Sequence, residues 1–338
     1  MKTSNKLIYF FISLSTILII INFYNFVLER SPVQYSDWLI NYQGGFVRRG
    51  LIGEFFYRVY TFFNIPLDIV VLFFVSLFYL FFAFFFIKIL KKISFNLTNT
   101  LIIFSPLSFL YPFMDQKVSG RKDIMFILSI LILCFFLEKI KFQHQKYLVI
   151  SLILITTFSH SGFFVYIPLF LLIFFIINHN EDFLRVLREL IIIGFGTTTL
   201  FVLIMFNTSV SDSSIIDICN SISEYLPRCG NSDYIETLNW SMQYEIQLVN
   251  QIWNKQNYIS FYFIAFLIAN FPLMYVLFYS KIEKKKLSNI NPLFIFILIN
   301  IFTLPIYYIG ADYGRYMYLS YLSLSIIYFK SLSSNFRW

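Results

Sequence analysis

The residues of this chain best suited to chemistry sit in short polar stretches between long apolar runs. The first, "WLINYQGGFVRRGLIGEFFYRVY" from Trp38 to Tyr60, sets Arg48 and Arg49 side by side just after Gly44 and Gly45. Two guanidiniums suit a phosphate or pyrophosphate, because arginine stays charged and donates in a planar fork that matches two oxygens. Anchoring to ordinary anionic headgroups is the plainer use of the same charges. The glycines permit a tight turn before the arginines. Asp37 in the same loop suits a general base, although a lone loop aspartate is more often a cap or an ion-pair partner.

Three further groups belong with it. "SGRKD" places Arg121 and Lys122 beside Asp123 at a helix start. A cap at Ser119 and a dipole-favoured Asp123 would account for the polar residues, but not for two cations at the positive end of a helix, which favours a bound anion. His160 falls in "SHSG", between two short apolar spans, either bonded to backbone or ionisable in a site. "GADYGR" carries Asp312 and Arg315, which could pair across their own turn. Of the three cysteines, Cys134 lies in an apolar run, while Cys219 and Cys229 share a polar stretch ten positions apart and suit a disulfide in an oxidising compartment. With three histidines and no paired Cys or His spacing, no metal site and no cofactor is expected.

What must position these groups is a membrane bundle. Charged residues make up 13% of the chain, against about 25% in a soluble domain, and 58% is hydrophobic. Apolar runs recur near the ~20 residues that cross a bilayer, so the expected fold is an all-α polytopic membrane protein with about ten spans. They are placed at about 7–28, 66–87, 97–113, 124–138, 147–160, 162–178, 190–207, 257–280, 291–309 and 316–330. The first run lacks a small-residue cleavage site and reads as a retained helix. From Gly50 onward, Glu54, Arg58 and Thr61 stripe an otherwise apolar helix, which is expected to lie flat in the interface with Glu54 and Arg58 paired.

Tyr147 to Ile177 decides the topology. As one helix its 31 residues would run ~46 Å, against a ~30 Å hydrocarbon core. Taken as two passes, it puts 16 of the 26 basic residues on the inner side, including Lys281, Lys284, Lys285 and Lys286. Taken as one, it would put those four lysines outside, against the positive-inside rule. Both termini are then cytoplasmic. The expected organisation is one integral membrane domain over 1–338, with a first periplasmic loop at 29–65 and a large one at 208–256. The scattered net charge of +8 gives orientation rather than a nucleic-acid surface.

All the polar groups then fall on the outer side. An aromatic-rich bundle with cations at one interface suits a long lipid with a phosphorylated head. Carboxylates beside them suit deprotonation of a sugar hydroxyl while arginines stabilise a pyrophosphate leaving group.

At "SGRKDIMFILSILIL" and "LITTFSHSGFFVYIPLFLL" the chain resembles the EpsG-like and Wzy-type polymerases of bacterial surface polysaccharides, over about Ser119 to Phe175. The resemblance implies roles for Arg121 and His160 and an undecaprenyl-linked oligosaccharide substrate in the inner membrane. It also implies a chain-length regulator or a flippase as protein partners. The first loop, with its juxtamembrane helix, instead resembles the GT-C glycosyltransferases, which implies Asp37 as the catalytic acid by position, although their frequent acidic pair is here a single aspartate. A flippase would bind the same lipid uncleaved but usually carries an internal repeat, which is absent here. An acyltransferase would want a carboxylate near His160 in sequence, and there is none.

Overall fold

In the computed structural model of the chain, residues 2–207, 210–230, 235–240, 242–253, 258–279, 292–310 and 312–333 are described. The lysine cluster Lys281–Lys286, Arg337 and parts of the 208–256 segment lie outside them. All regular structure among the described residues is helical: α1 Lys2–Leu28, α2 Ser36–Leu39, α3 Leu51–Phe63, α4 Leu67–Leu90, α5 Leu97–Ile103, α6 Tyr111–Met114, α7 Gln116–Ser119, α8 Asp123–Phe136, α9 Phe142–Ser159, α10 Ile167–Ile177, α11 Phe183–Asn207, α12 Asp212–Ser221, α13 Met242–Trp253, α14 Tyr258–Tyr279, α15 Pro292–Ile309 and α16 Tyr313–Ser333. Four contain stretches long and apolar enough to cross a membrane, namely Asn5–Leu28, Leu67–Leu90, Phe183–Leu203 and Ser260–Leu277.

The centre of the bundle is α16 against α8 and α4, with α1 behind α4. Although serine-rich, α16 is buried along nearly its whole length from Tyr313 to Ser331. Small hydroxyl side chains allow close helix approach and can satisfy themselves on the preceding turn, as Ser325 does by donating to the Tyr321 carbonyl at 2.8 Å. Helices α8 and α16 run parallel in register. Asp123 meets Arg315 at one end and Glu138 meets Lys330 at the other. Both segments cover the same interval of fifteen residues between the two ion pairs, roughly 22 Å, Glu138 lying in the 3-10 turn that continues α8.

The expected helix at 97–113 is corrected. It stops at Ile103, and Phe104 to Leu110 runs through turns before the single turns α6 and α7. Pro106 is the cause, since it has no N–H to give the Ile102 carbonyl and its ring crowds that turn. The Tyr321 hydroxyl donates to the Ile102 carbonyl instead, at 3.1 Å. Ser105, Leu107, Ser108 and Phe109 are all buried, so this irregular backbone is sheltered by protein.

Elsewhere the breaks fall as the sequence places them. The 147–177 run interrupts at His160, whose backbone is extended, and continues as a 3-10 turn over Ser161–Tyr166 into α10, with Pro168 in its first turn. Both α9 and α10 pack against α8 and α11. Helix α3 ends at Asn64 in the left-handed region, and its Arg58 meets Glu54 at 2.6 Å. Its Gly53 allows a close pass, because a Cβ there would sit 1.9 Å from the Ile40 carbonyl oxygen.

Candidate functional site

The residues between α1 and α3 turn inward through α2. Trp38 is fully buried and donates its indole N–H to the Gly120 carbonyl at 2.7 Å, which pins this loop to the start of α8. Asp37 beside it is buried and lies 3.3 Å from the Lys122 ammonium. That approach is a charge contact rather than a directed hydrogen bond, for Asp37 Oδ1 accepts none. Lys122 is 0% exposed and donates to the Arg49 carbonyl at 3.1 Å. Burial pulls its pKa below the ordinary lysine value, with Asp37 opposing. The cap expected at Ser119 is corrected: Lys122 precedes the first helical residue, and Ser119 Oγ accepts from Asn22 at 2.6 Å and donates to the Gln116 carbonyl.

A second set meets the first from α8, α16 and the α9–α10 turn. Arg315 grips Asp123 through Nε at 2.6 Å and a terminal nitrogen at 2.5 Å. Arg121 pairs with Asp312, and Arg315 is 3.7 Å from the same carboxylate. Asp312 and Arg315 thus do meet across their own turn, but each has a shorter partner on the α7–α8 segment. Burial would raise the Asp312 pKa, but Arg121 and Arg315 outweigh it and hold the carboxyl below its ordinary value.

His160 stands at the junction. Its Nε2 lies 3.4 Å from Arg315, its Nδ1 accepts from the Gly162 N–H at 3.2 Å, and its ring lies over Phe163 at 4.9 Å. Burial, then the charges of Arg315, Arg49, Lys122 and Arg121, push its pKa well below the ordinary imidazole value. The ring is thus neutral. A neutral ring has one acceptor nitrogen, so the Gly162 N–H at Nδ1 and the Arg315 guanidinium at Nε2 compete for it, and the other nitrogen carries the proton.

The 208–256 segment supplies a third wall. Arg48 donates to the Thr237 carbonyl at 2.9 Å and meets Glu245 of α13 at 3.3 Å, while Arg49 donates to the Thr237 hydroxyl at 3.3 Å. Two glycines make this seating possible. Gly45 has φ +100, which only glycine adopts cheaply, and a Cβ on Gly44 would fall 2.0 Å from the Ser214 carbonyl oxygen. Asn41 donates to Ser221 at 2.9 Å, and Cys219 and Cys229 are joined as a disulfide with Cα atoms 5.3 Å apart.

Asp37, Arg48, Arg49, Arg121, Lys122, Asp123, Asp312 and Arg315 thus converge on one end of the bundle, together with His160. Arg121 and Lys122 each have a carboxylate beside them, Asp312 and Asp37, so their charges are partly balanced within the protein. Thr237 and Glu245 were missed. The one signal for Glu245 is an acid inside the amphipathic run "MQYEIQLV" of α13. The chain matches no protein-family model, no curated protein and no solved structure.

Proposed function

We propose that this end of the bundle binds the pyrophosphate of an undecaprenyl-linked oligosaccharide at the periplasmic face of a bacterial inner membrane. There it transfers the glycan to a growing lipid-linked chain, as a surface-polysaccharide polymerase does. In this reading the ten apolar segments span the bilayer and both termini face the cytoplasm. The observation that carries it is the gathering of Arg49, Arg121, Lys122 and Arg315 with Asp37, Asp123 and Asp312 around His160 at one end of the bundle. Cations held in a partly dry site by their own carboxylates need little reorganisation when charge develops on a leaving group. An oxygen entering beside Arg315 would accept from its guanidinium, and also from His160 in the tautomer that carries its proton on Nε2. Arg48 and Arg49, held by the Thr237 carbonyl and hydroxyl, are assigned to the second phosphate.

Asp37 is the base in this scheme. Its Oδ1 has an unused acceptor position beside the Lys122 ammonium, where an acceptor sugar hydroxyl would deliver its proton as its oxygen attacks the anomeric carbon. The bond broken is between that carbon and the pyrophosphate oxygen. The same position of Asp37 favours a second reading, a GT-C-like transferase that adds one sugar from a monophosphate-linked donor. Deleting the gene separates the two. A polymerase leaves lipopolysaccharide with a single repeat unit and no ladder, whereas a single-sugar transferase leaves a ladder of altered spacing. An unaltered ladder would count against both.

A further inference from the structure

A recess of about 540 Å³ opens between α12 and the 3-10 turn Glu236–Asn239, beside the cation cluster but separate from it. Its polar lining is Asp212, Asn220, Glu236 and Asn239, and Ile216 and the Cys219–Cys229 disulfide form an apolar wall. Among the described residues no lysine or arginine lines it. We infer that this recess is a saccharide subsite for a neutral or amino sugar of the glycan carried on the lipid pyrophosphate. The inference rests on the reading of the cation cluster given above.

Chemistry selects the ligand class. Carboxylates accept from hydroxyls, and side-chain amides both donate and accept, so two of each can satisfy the mixed edge of a sugar ring. Asn239 donates to Asp212 Oδ1 at 2.5 Å, which fixes an amide and a carboxylate relative to each other before any ligand arrives. The apolar wall suits the C–H face of the same ring. Two carboxylates without a lining cation repel a uronic acid or a phosphate and attract an amino group.

Position ties the recess to the reaction. Thr237 lies between Glu236 and Asn239, and its carbonyl and hydroxyl are the groups that Arg48 and Arg49 hold. Two of the lining residues, Glu236 and Asn239, are therefore one and two peptide units, about 4–8 Å, from the arginine contacts. The 3-10 turn faces phosphate-binding arginines on one side and the recess on the other. The close seat of Gly44 on Ser214, the Asn41–Ser221 bond and the disulfide hold α12 in place against the arginine loop.

The test compares two probes on the full chain in lipid nanodiscs: undecaprenyl pyrophosphate, and the saccharide-bearing lipid extracted from the host strain. Asn220→Trp fills the recess. Asp212→Asn with Glu236→Gln keeps its shape and removes its charge, which covers the case in which the tryptophan variant does not fold. Either change is expected to weaken the saccharide-bearing lipid about tenfold, the loss of one charged hydrogen bond, and to leave the bare pyrophosphate lipid unchanged. Unchanged affinity for both probes, or equal loss of both, overturns the subsite while the cation-cluster reading stands. Failure of the wild-type chain to bind either lipid overturns the reading beneath it, and the subsite with it.

Discussion

Arg315 and Asp123, 192 positions apart, form a buried two-nitrogen ion pair, with Nε at 2.6 Å and a terminal nitrogen at 2.5 Å from the carboxylate. The pair joins the first turns of the parallel helices α8 and α16 and sets His160 against a guanidinium. Removing one member strands the other charge away from water. Arg315→Ala is expected to destabilise the protein by about 3–5 kcal/mol, and Arg315→Met with Asp123→Leu to recover most of that loss while abolishing activity. Thermal unfolding in detergent measures the first effect and the glycan ladder the second. Recovery of activity in the double variant would show that the pair is structural only.

A pH effect follows from His160. Its folded pKa is well below the ordinary value of 6.5 because of burial and four nearby cations. As pH falls through 6.5 the unfolded chain takes up a proton that the folded chain refuses, so stability drops with pH below that point. The wild-type melting temperature should fall between pH 7.5 and 5.5, and His160→Gln should remove part of that fall. An equal slope in both proteins would mean that the imidazole titrates in the fold as it does in the unfolded chain.

How far the sequence disclosed this site can be judged from single residues. Asp37, Arg121, Lys122, His160 and Arg315 were legible because polar groups beside long apolar runs are costly and stand out. Their mutual pairing was not legible, since nothing in the spacing relates Asp123 to Arg315 across the chain. Thr237 and Glu245 were hidden for the opposite reason, as ordinary residues in a polar segment whose only distinction is the loop they touch. The break at Pro106 was written in the sequence but overruled by the apolar run around it. The expected 97–113 helix ends there because Pro106 has no N–H for the Ile102 carbonyl, which accepts from Tyr321 and from the Ser105 N–H.

Arg48 and Arg49 distinguish a phosphate clamp from a headgroup anchor. Lysine keeps the charge and loses the fork, so Arg48→Lys and Arg49→Lys should each cost about 1.5–3 kcal/mol, or roughly 10- to 150-fold in rate or affinity. The glycan ladder, corrected for protein level in the membrane, resolves that range. Full activity in both variants would reduce the pair to an anchor.

Topology is tested independently of chemistry. With 16 of the 26 basic residues assigned to the inner side, a reporter fused after Asn231 should be active in the periplasm and one after Lys285 in the cytoplasm. Reversed activities would put the Arg315–Asp123 end of the bundle on the cytoplasmic side.

The central claim is that this end of the bundle cleaves a glycan from lipid pyrophosphate and passes it to another chain. It is tested most directly by placing the purified protein in sealed vesicles with the host's saccharide-bearing undecaprenyl lipid and following the products by mass spectrometry. Growth of the lipid-linked glycan by whole repeat units, with release of one undecaprenyl pyrophosphate per unit added, is the predicted result. Lipid that crosses the bilayer with its saccharide intact, and no undecaprenyl pyrophosphate released, would contradict it and mark the protein as a carrier of that lipid.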